Sequence, residues 1–230
     1  MEILGRGSRS QFVLQHGRLV FLAAVCCAVW PLVAPAQDAN SPAKLTYTKI
    51  LKGSSPEFLS ISVDTQGDAF YEGRKLDEPP SPRPLKLSPA TTRRLFQLAE
   101  ALDNFQSIDL ESHKKVANLG LKTLMYEREG RRNKVEFNYT LLREAQQLAD
   151  LFEKISGVEQ HIITLEHAIK YDHLGLPKEL LLIQIDLDKR ALADPELMVP
   201  ALEKIVRDSR FLHLAQTRAQ DILQRLQNQN

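Results

Sequence analysis

Residues 58–73 read FLSISVDTQGDAFYEG, and their alternation admits few folds. Leu59, Ile61 and Val63 fall on one side of an extended chain, and Phe58, Ser60 and Ser62 on the other. A period of two is a strand signal, and the uniformly apolar set is the face to bury. Thr65-Gln66-Gly67 supplies a turn, and the returning strand carries Phe70 and Tyr71. Residues 121–139 repeat this order. Lys122–Arg128 and Lys134–Tyr139 flank a tip made of Glu129, Gly130, Arg131 and Arg132. Val135, Phe137 and Tyr139 alternate with Lys134, Glu136 and Asn138, which predicts one buried face and one wet face. Upstream, Leu45, Tyr47 and Lys49 alternate with Thr46, Thr48 and Ile50. This stretch reads as an edge strand, broken by Gly53-Ser54-Ser55-Pro56.

A helix follows each hairpin. Pro79, Pro80, Pro82 and Pro84 bar residues 75–84 from a sheet interior and mark a surface loop. Ser88 is placed as an N-cap with Pro89 at the tolerated first position, and Leu95, Leu98, Leu102 and Phe105 define a buried stripe. Residues 109–119 are polar and irregular. After the second hairpin, Thr140 can cap a helix whose stripe is Leu141, Ala145, Leu148, Phe152 and Ile155, with Gly157 placed to end it. Two such units make an antiparallel sheet with both helices on one face, an α+β domain over residues 45–157.

Residues 158–230 carry only helical patterns. Val158, Ile162, Leu165 and Ile169 form a stripe that stops at Gly175, and Pro177 opens the next helix. Residues 179–188, ELLLIQIDLD, fit a strand through Ile183, Ile185 and Leu187, but a helix through Leu180, Ile183, Leu187 and Ala191 accounts for a longer segment. Asp194-Pro195-Glu196 predicts a helix start for 195–208, and a last helix over 210–227 is expected to bury Leu214, Ala215, Ala219, Ile222 and Leu226. On Leu197, Pro200, Leu202, Ile205, Asp208, Arg218, Ala219 and Leu223, these two helices resemble one unit of a HEAT-type helical repeat. The resemblance covers about 35 residues, its spacing from Asp208 to Arg218 is about two residues long, and a solenoid needs three or more units, so it implies a helical hairpin and no binding site. SPEFLSISVDTQG followed by LSPATTRRLFQLAEAL is similar to an uncharacterised family of exported bacterial domains, which implies secretion and no particular activity.

The N-terminus sets the compartment. Arg6, Arg9 and Arg18 precede the apolar run LVFLAAVCCAVW, and Ala34-Pro35-Ala36 offers a small-x-small cleavage site, so residues 1–36 read as a secretory signal peptide. Retained, the run would instead be a membrane anchor. Residues 37–44 read as a flexible leader. Both cysteines, Cys26 and Cys27, lie in the signal, and Val25 before Cys26 argues against lipidation. The mature chain then has no disulfide, and the expected location is periplasmic or secreted in a bacterium. The whole chain has 30 basic and 29 acidic residues; loss of three arginines and Glu2 leaves 27 against 28. That balance gives no pull toward nucleic acid or an anionic membrane.

His161, His167 and His173 are six apart, which turns them to three directions on one helix and argues against a shared metal. HExxH, GxSxG, P-loop and GxGxxG patterns are absent, and a mature chain without cysteine excludes thiol catalysis. Asp186 and Asp188 read as a charged helix face. Glu111, Ser112 and His113 are the least implausible fragment of a hydrolase site assembled from scattered residues. No catalytic, cofactor or metal residue is assigned. The remaining candidate is a surface: Arg128, Arg131, Arg132 and Lys134, with Glu127 and Glu129 interleaved, as a docking patch for an acidic partner. The sequence therefore predicts an exported, non-catalytic envelope protein acting through protein–protein contact, with a periplasmic or secreted hydrolase as the alternative.

Overall fold

The computed structural model describes residues 42–228. Strands β1 (Lys44–Ile50), β2 (Phe58–Asp64), β3 (Asp68–Arg74), β4 (Arg83–Lys86), β5 (Leu121–Arg128) and β6 (Arg131–Phe137) form one antiparallel sheet in the order β4-β3-β2-β1-β5-β6. Helix α1 (Pro89–Ala101) follows β4, and α2 (Arg143–Tyr171) follows β6. Helices α3 (Leu176–Asp188), α4 (Val199–Arg207) and α5 (His213–Gln227) complete an α+β fold. Cleavage residues Ala34 and Ala36, and most of the leader, lie outside the described residues; Lys44, placed in that leader, already opens β1.

Alternation fixes the buried face as expected. Leu59, Ile61 and Val63 are buried; across the register Ile61 meets Tyr47 of β1 and Tyr71 of β3, Val63 meets Leu45 and Ala69, and Leu59 meets Lys49 and Gly73. Gly67 has φ +88°, and a Cβ there would meet Leu87 O and Thr92 Oγ1 at 2.8 Å each. Only glycine allows this close approach of the β2–β3 turn to the start of α1.

Several expectations are corrected. β1 is the shared central strand, not an edge: it pairs with β2 on one side and β5 on the other. Its Thr46/Thr48 side faces away from the helices, so its pattern looks half-wet although its backbone bonds are filled on both sides. Pro84 lies in β4, an edge strand rather than a loop, where a missing donor is tolerated. The second hairpin turns on Glu129 and Gly130 alone, both with positive φ, so Arg131 and Arg132 belong to β6. Thr140 does not cap α2; its Oγ1 accepts from Leu142 N at 3.2 Å, the helix begins at Arg143, and Leu141 stays exposed. Leu214 is likewise exposed, one position off the buried stripe Ala215, Ala219, Ile222 and Leu226.

Gly157 does not stop α2. The helix runs through it, and a Cβ there would press on Leu192 Cδ2 at 3.3 Å, so this glycine serves close packing against the chain after α3. The consequence is large. Ala145, Leu148, Phe152 and Ile155 pack under the sheet with α1, while Val158, Leu165 and Ile169 pack against α3, α4 and α5. One helix supplies both cores, and the boundary expected between 157 and 158 falls within it.

Two polar braces tie the helical part down. Asp194, expected to cap the following helix, sits at φ 54° and makes no such cap. Its carboxylate instead accepts from Ser88 N at 2.7 Å, Ser88 Oγ at 2.8 Å and Thr91 Oγ1 at 2.5 Å at the start of α1. A 3-10 turn, Pro195–Met198, then leads into α4. The second brace is His161 of α2. Its Nδ1 lies 2.7 Å from Glu179 Oε1 and its Nε2 3.1 Å from Asp186 Oδ2, both on α3. Both ring nitrogens face carboxylates, which only accept, so the doubly protonated ring satisfies both contacts.

Asp194→Ala should lower unfolding stability by about 1–3 kcal/mol, read from urea denaturation, because charge-assisted bonds across the fold are lost. Burial alone would lower the His161 pKa, but the Glu179 and Asp186 bonds and charges raise it above 6.5. The extra stability is therefore full below pH 6.5 and is lost as pH rises through the raised folded value. Melting temperature should fall over that window in the wild type, and this part of the slope should vanish in His161→Gln.

Candidate functional site

The site grows out of β1 and β5. In their register, Tyr47 lies opposite Leu124 and Lys49 opposite Lys122. Both pairs are on the helix-covered side of the sheet, so two lysines occupy opposed positions where the core pattern calls for apolar residues. Like charges directly opposite are unfavourable in a sheet. Local rules broken in this way tend to mark function.

One carboxylate answers one of the two lysines. Glu153, one residue past Phe152 on α2, accepts from Lys49 Nζ at 2.9 Å and Tyr47 Oη at 2.7 Å through the same oxygen, Oε1. Tyr47 is fully buried, with its ring stacked on Phe152 at 5.1 Å between centroids. Burial, then the Glu153 charge and hydrogen bond, push its phenol far above the ordinary range, so it stays a neutral donor. Among the described residues, Lys122 has no carboxylate bonded to it. Its Nζ donates to Asn138 O at 2.8 Å, and to Leu119 O and Gly120 O at 3.3 and 3.4 Å. Burial first and Lys49 second lower its pKa, against weaker upward pulls from Glu153 and Glu111.

Lys49, Lys122 and Glu153 line an open cavity of about 610 Å³, walled on the apolar side by Leu51, Leu119, Phe137 and Ala149. Its rim is stitched rather than loose. Asn138 Oδ1 accepts from Leu119 N at 2.7 Å and its Nδ2 donates to Ala117 O at 3.0 Å. Glu111 Oε2 accepts from Asn138 N at 2.6 Å, and these backbone bonds hold its carboxyl below the usual range.

The residues singled out from sequence do not assemble into a catalytic site. Ser112 donates to Glu111 Oε1 at 3.3 Å, while His113, an exposed residue, pairs with Asp109 at 2.7 Å. The geometry thus splits the hydrolase fragment between two partners. At the hairpin tip, Arg132 pairs with Glu127, Arg128 with Glu129 at 3.2 Å, and Lys134 with Glu136 at 2.6 Å. Their charge is largely answered locally; Arg131 makes no ion pair among the described residues. His167 lies against Tyr171, and His173 donates to Ile169 O at 3.0 Å, so neither joins His161. Among the described residues, no three His, Cys, Asp or Glu side chains form a metal set. Asp186 serves His161, and Asp188 pairs with Arg225 at 2.9 Å.

Lys49 and Lys122 went unnoticed in the sequence, although a signal was present. Lys49 continues the buried set Leu45, Tyr47, and Lys122 precedes Leu124 and Tyr126 by the same period. Each is a charge on an otherwise apolar face.

The opposite face of the sheet is covered by no described helix. Phe58, Ile50 and Leu121 lie directly opposite one another there across β2, β1 and β5, forming a continuous apolar row. Ser60, Thr48 and Thr123 form the next row, and Phe70, 53% exposed, stands in the row beyond with Ser62, Thr46 and Met125. Neither a scan of family models nor a search of curated proteins gives a match to the chain. Among the described residues, no helix is long and apolar enough to cross a membrane.

Half-buried opposite Lys49, the Lys122 charge is held at a cost that its removal should relieve. Lys122→Met should melt above the wild type, by about 2–4 °C for each kcal/mol relieved, in calorimetry at pH 7.

Proposed function

We propose that this is an exported, non-catalytic protein of the bacterial cell envelope that works by binding another protein across the open face of its sheet. The observation that carries the reading is the row Phe58, Ile50 and Leu121 on three adjacent strands, in which Ile50 and Leu121 are exposed and the Arg74 guanidinium lies 4.4 Å over the half-buried Phe58 ring. Exposed Ile50 and Leu121, aligned on adjacent strands of a rigid sheet, fit an apolar strip of a partner. Export rests on the basic, apolar and small-residue segments of 1–36. The hairpin tip, with most of its charges paired, is a weaker docking candidate than this face.

The test is cross-linked capture from an envelope fraction with tagged precursor as bait. A defined partner should be captured by wild-type bait whose intact mass lacks residues 1–36. Ile50→Lys should abolish capture while leaving the unfolding free energy within about 0.5 kcal/mol of the wild type, as for other exposed substitutions. Equal capture by wild type and Ile50→Lys would overturn the assignment of the face, and a bait retaining residues 1–36 would replace export with a membrane-tethered form.

A further inference from the structure

We propose that the lysine pocket at the Lys49–Lys122 end of the sheet binds a carboxylate carried on an apolar body. The site lies on the opposite side of the sheet from the docking row, and it does not depend on that reading.

Charge comes first. Lys49 and Lys122 lie opposite one another across β1 and β5, and among the described residues Glu153 is the single carboxylate bonded to either. Asp150 also lines the cavity, but Lys154 holds it at 3.0 Å. Glu111 stands behind the rim, outside the cavity lining, and its pull on Lys122 ranks below that of Glu153. Among the groups that line the cavity, the Lys122 ammonium is thus left without a bonded carboxylate, a place that one incoming carboxylate can fill. Donors come second. Glu153 Oε1 already occupies Lys49, whereas two of the three Lys122 contacts are long bonds to carbonyls, at 3.3 and 3.4 Å. These are the weak bonds an incoming anion would replace, gaining a charge-assisted bond in a half-buried site.

The wall selects the rest of the ligand. Phe137, Leu51, Leu119 and Ala149 offer apolar surface beside the two ammonium groups, and about 610 Å³ holds a body of several carbons. The site is also built in advance. Tyr47 fixes Glu153 from the core, and Asn138 and Glu111 fix the rim, so little ordering is needed on binding. Two sources share this chemistry: a free short-chain or aromatic acid, and the C-terminal residue of a polypeptide.

Calorimetric titration of the purified chain at pH 7 tests it, with hexanoate and hexanol as probes. Hexanoate should bind one per chain and hexanol at least tenfold more weakly. Lys122→Met should weaken hexanoate at least tenfold; Lys49→Met carries the same test should Lys122→Met fail to fold. Equal binding of acid and alcohol, no binding of either, or wild-type affinity in a folded lysine variant would overturn the proposal. A pentapeptide ending in leucine, as free acid and as amide, separates the sources. Free-acid peptide binding tighter than hexanoate assigns the pocket to a chain terminus, and the reverse order assigns it to a small acid. Capture through the open face is unaffected by either result.

Discussion

The hydrogen bond from Tyr47 to Glu153 joins core to cavity. Tyr47 stands on the central strand, fully buried, and its ring stacks on Phe152 while its hydroxyl reaches the next residue of the same helix at 2.7 Å. An aromatic ring with a polar tip suits this position because one end can be apolar and the other engaged. The packing of β1 against α2 thereby decides where Glu153 sits. Glu153 in turn decides which lysine is neutralised and which is not.

The same helix organises the rest. Its first half lies under the sheet and its second half in the helical cluster, so residues 143–171 are common to both cores. Asp194 and His161 add polar ties at the two seams, one from the segment after α3 to the start of α1 and one from α2 to α3. Arg83 on the edge strand adds a third, 3.0 Å from Glu166 and 3.8 Å from the buried Glu159 of α2. Burial pushes the Glu159 carboxyl up, and Arg83 opposes that shift. With all packed helices on one side, the sheet has two unlike faces: a covered one ending in a charged pocket, and an open one with an apolar row.

Much of the fold was legible because period and punctuation are local. The alternation of Leu59, Ile61 and Val63, the cap Ser88 with Pro89, and the stripe Ala145, Leu148, Phe152 all appear as read. What failed was non-local. Strand order depends on partners, so β1 could not be known as central from its own residues. Gly157 reads as a helix stop in isolation, but tertiary packing against Leu192 overrides that preference. Asp194 reads as a cap for its own helix, yet it bonds residues 103 and 106 positions away. The lysine pocket was hidden for the same reason. Lys49 and Lys122 are 73 positions apart, and only register makes them neighbours.

The claim that the core positions the pocket can be tested with one conservative change. Tyr47→Phe keeps the ring and its stacking on Phe152 but removes the hydroxyl that fixes Glu153. The decisive measurement is hexanoate titration of this variant beside its urea denaturation. The account requires a stability loss of about 1–2 kcal/mol, together with at least threefold weaker hexanoate binding as the freed Glu153 competes for the lysines. The same stability loss with unchanged affinity would contradict it, because the pocket would then owe its geometry to the rim and not to Tyr47.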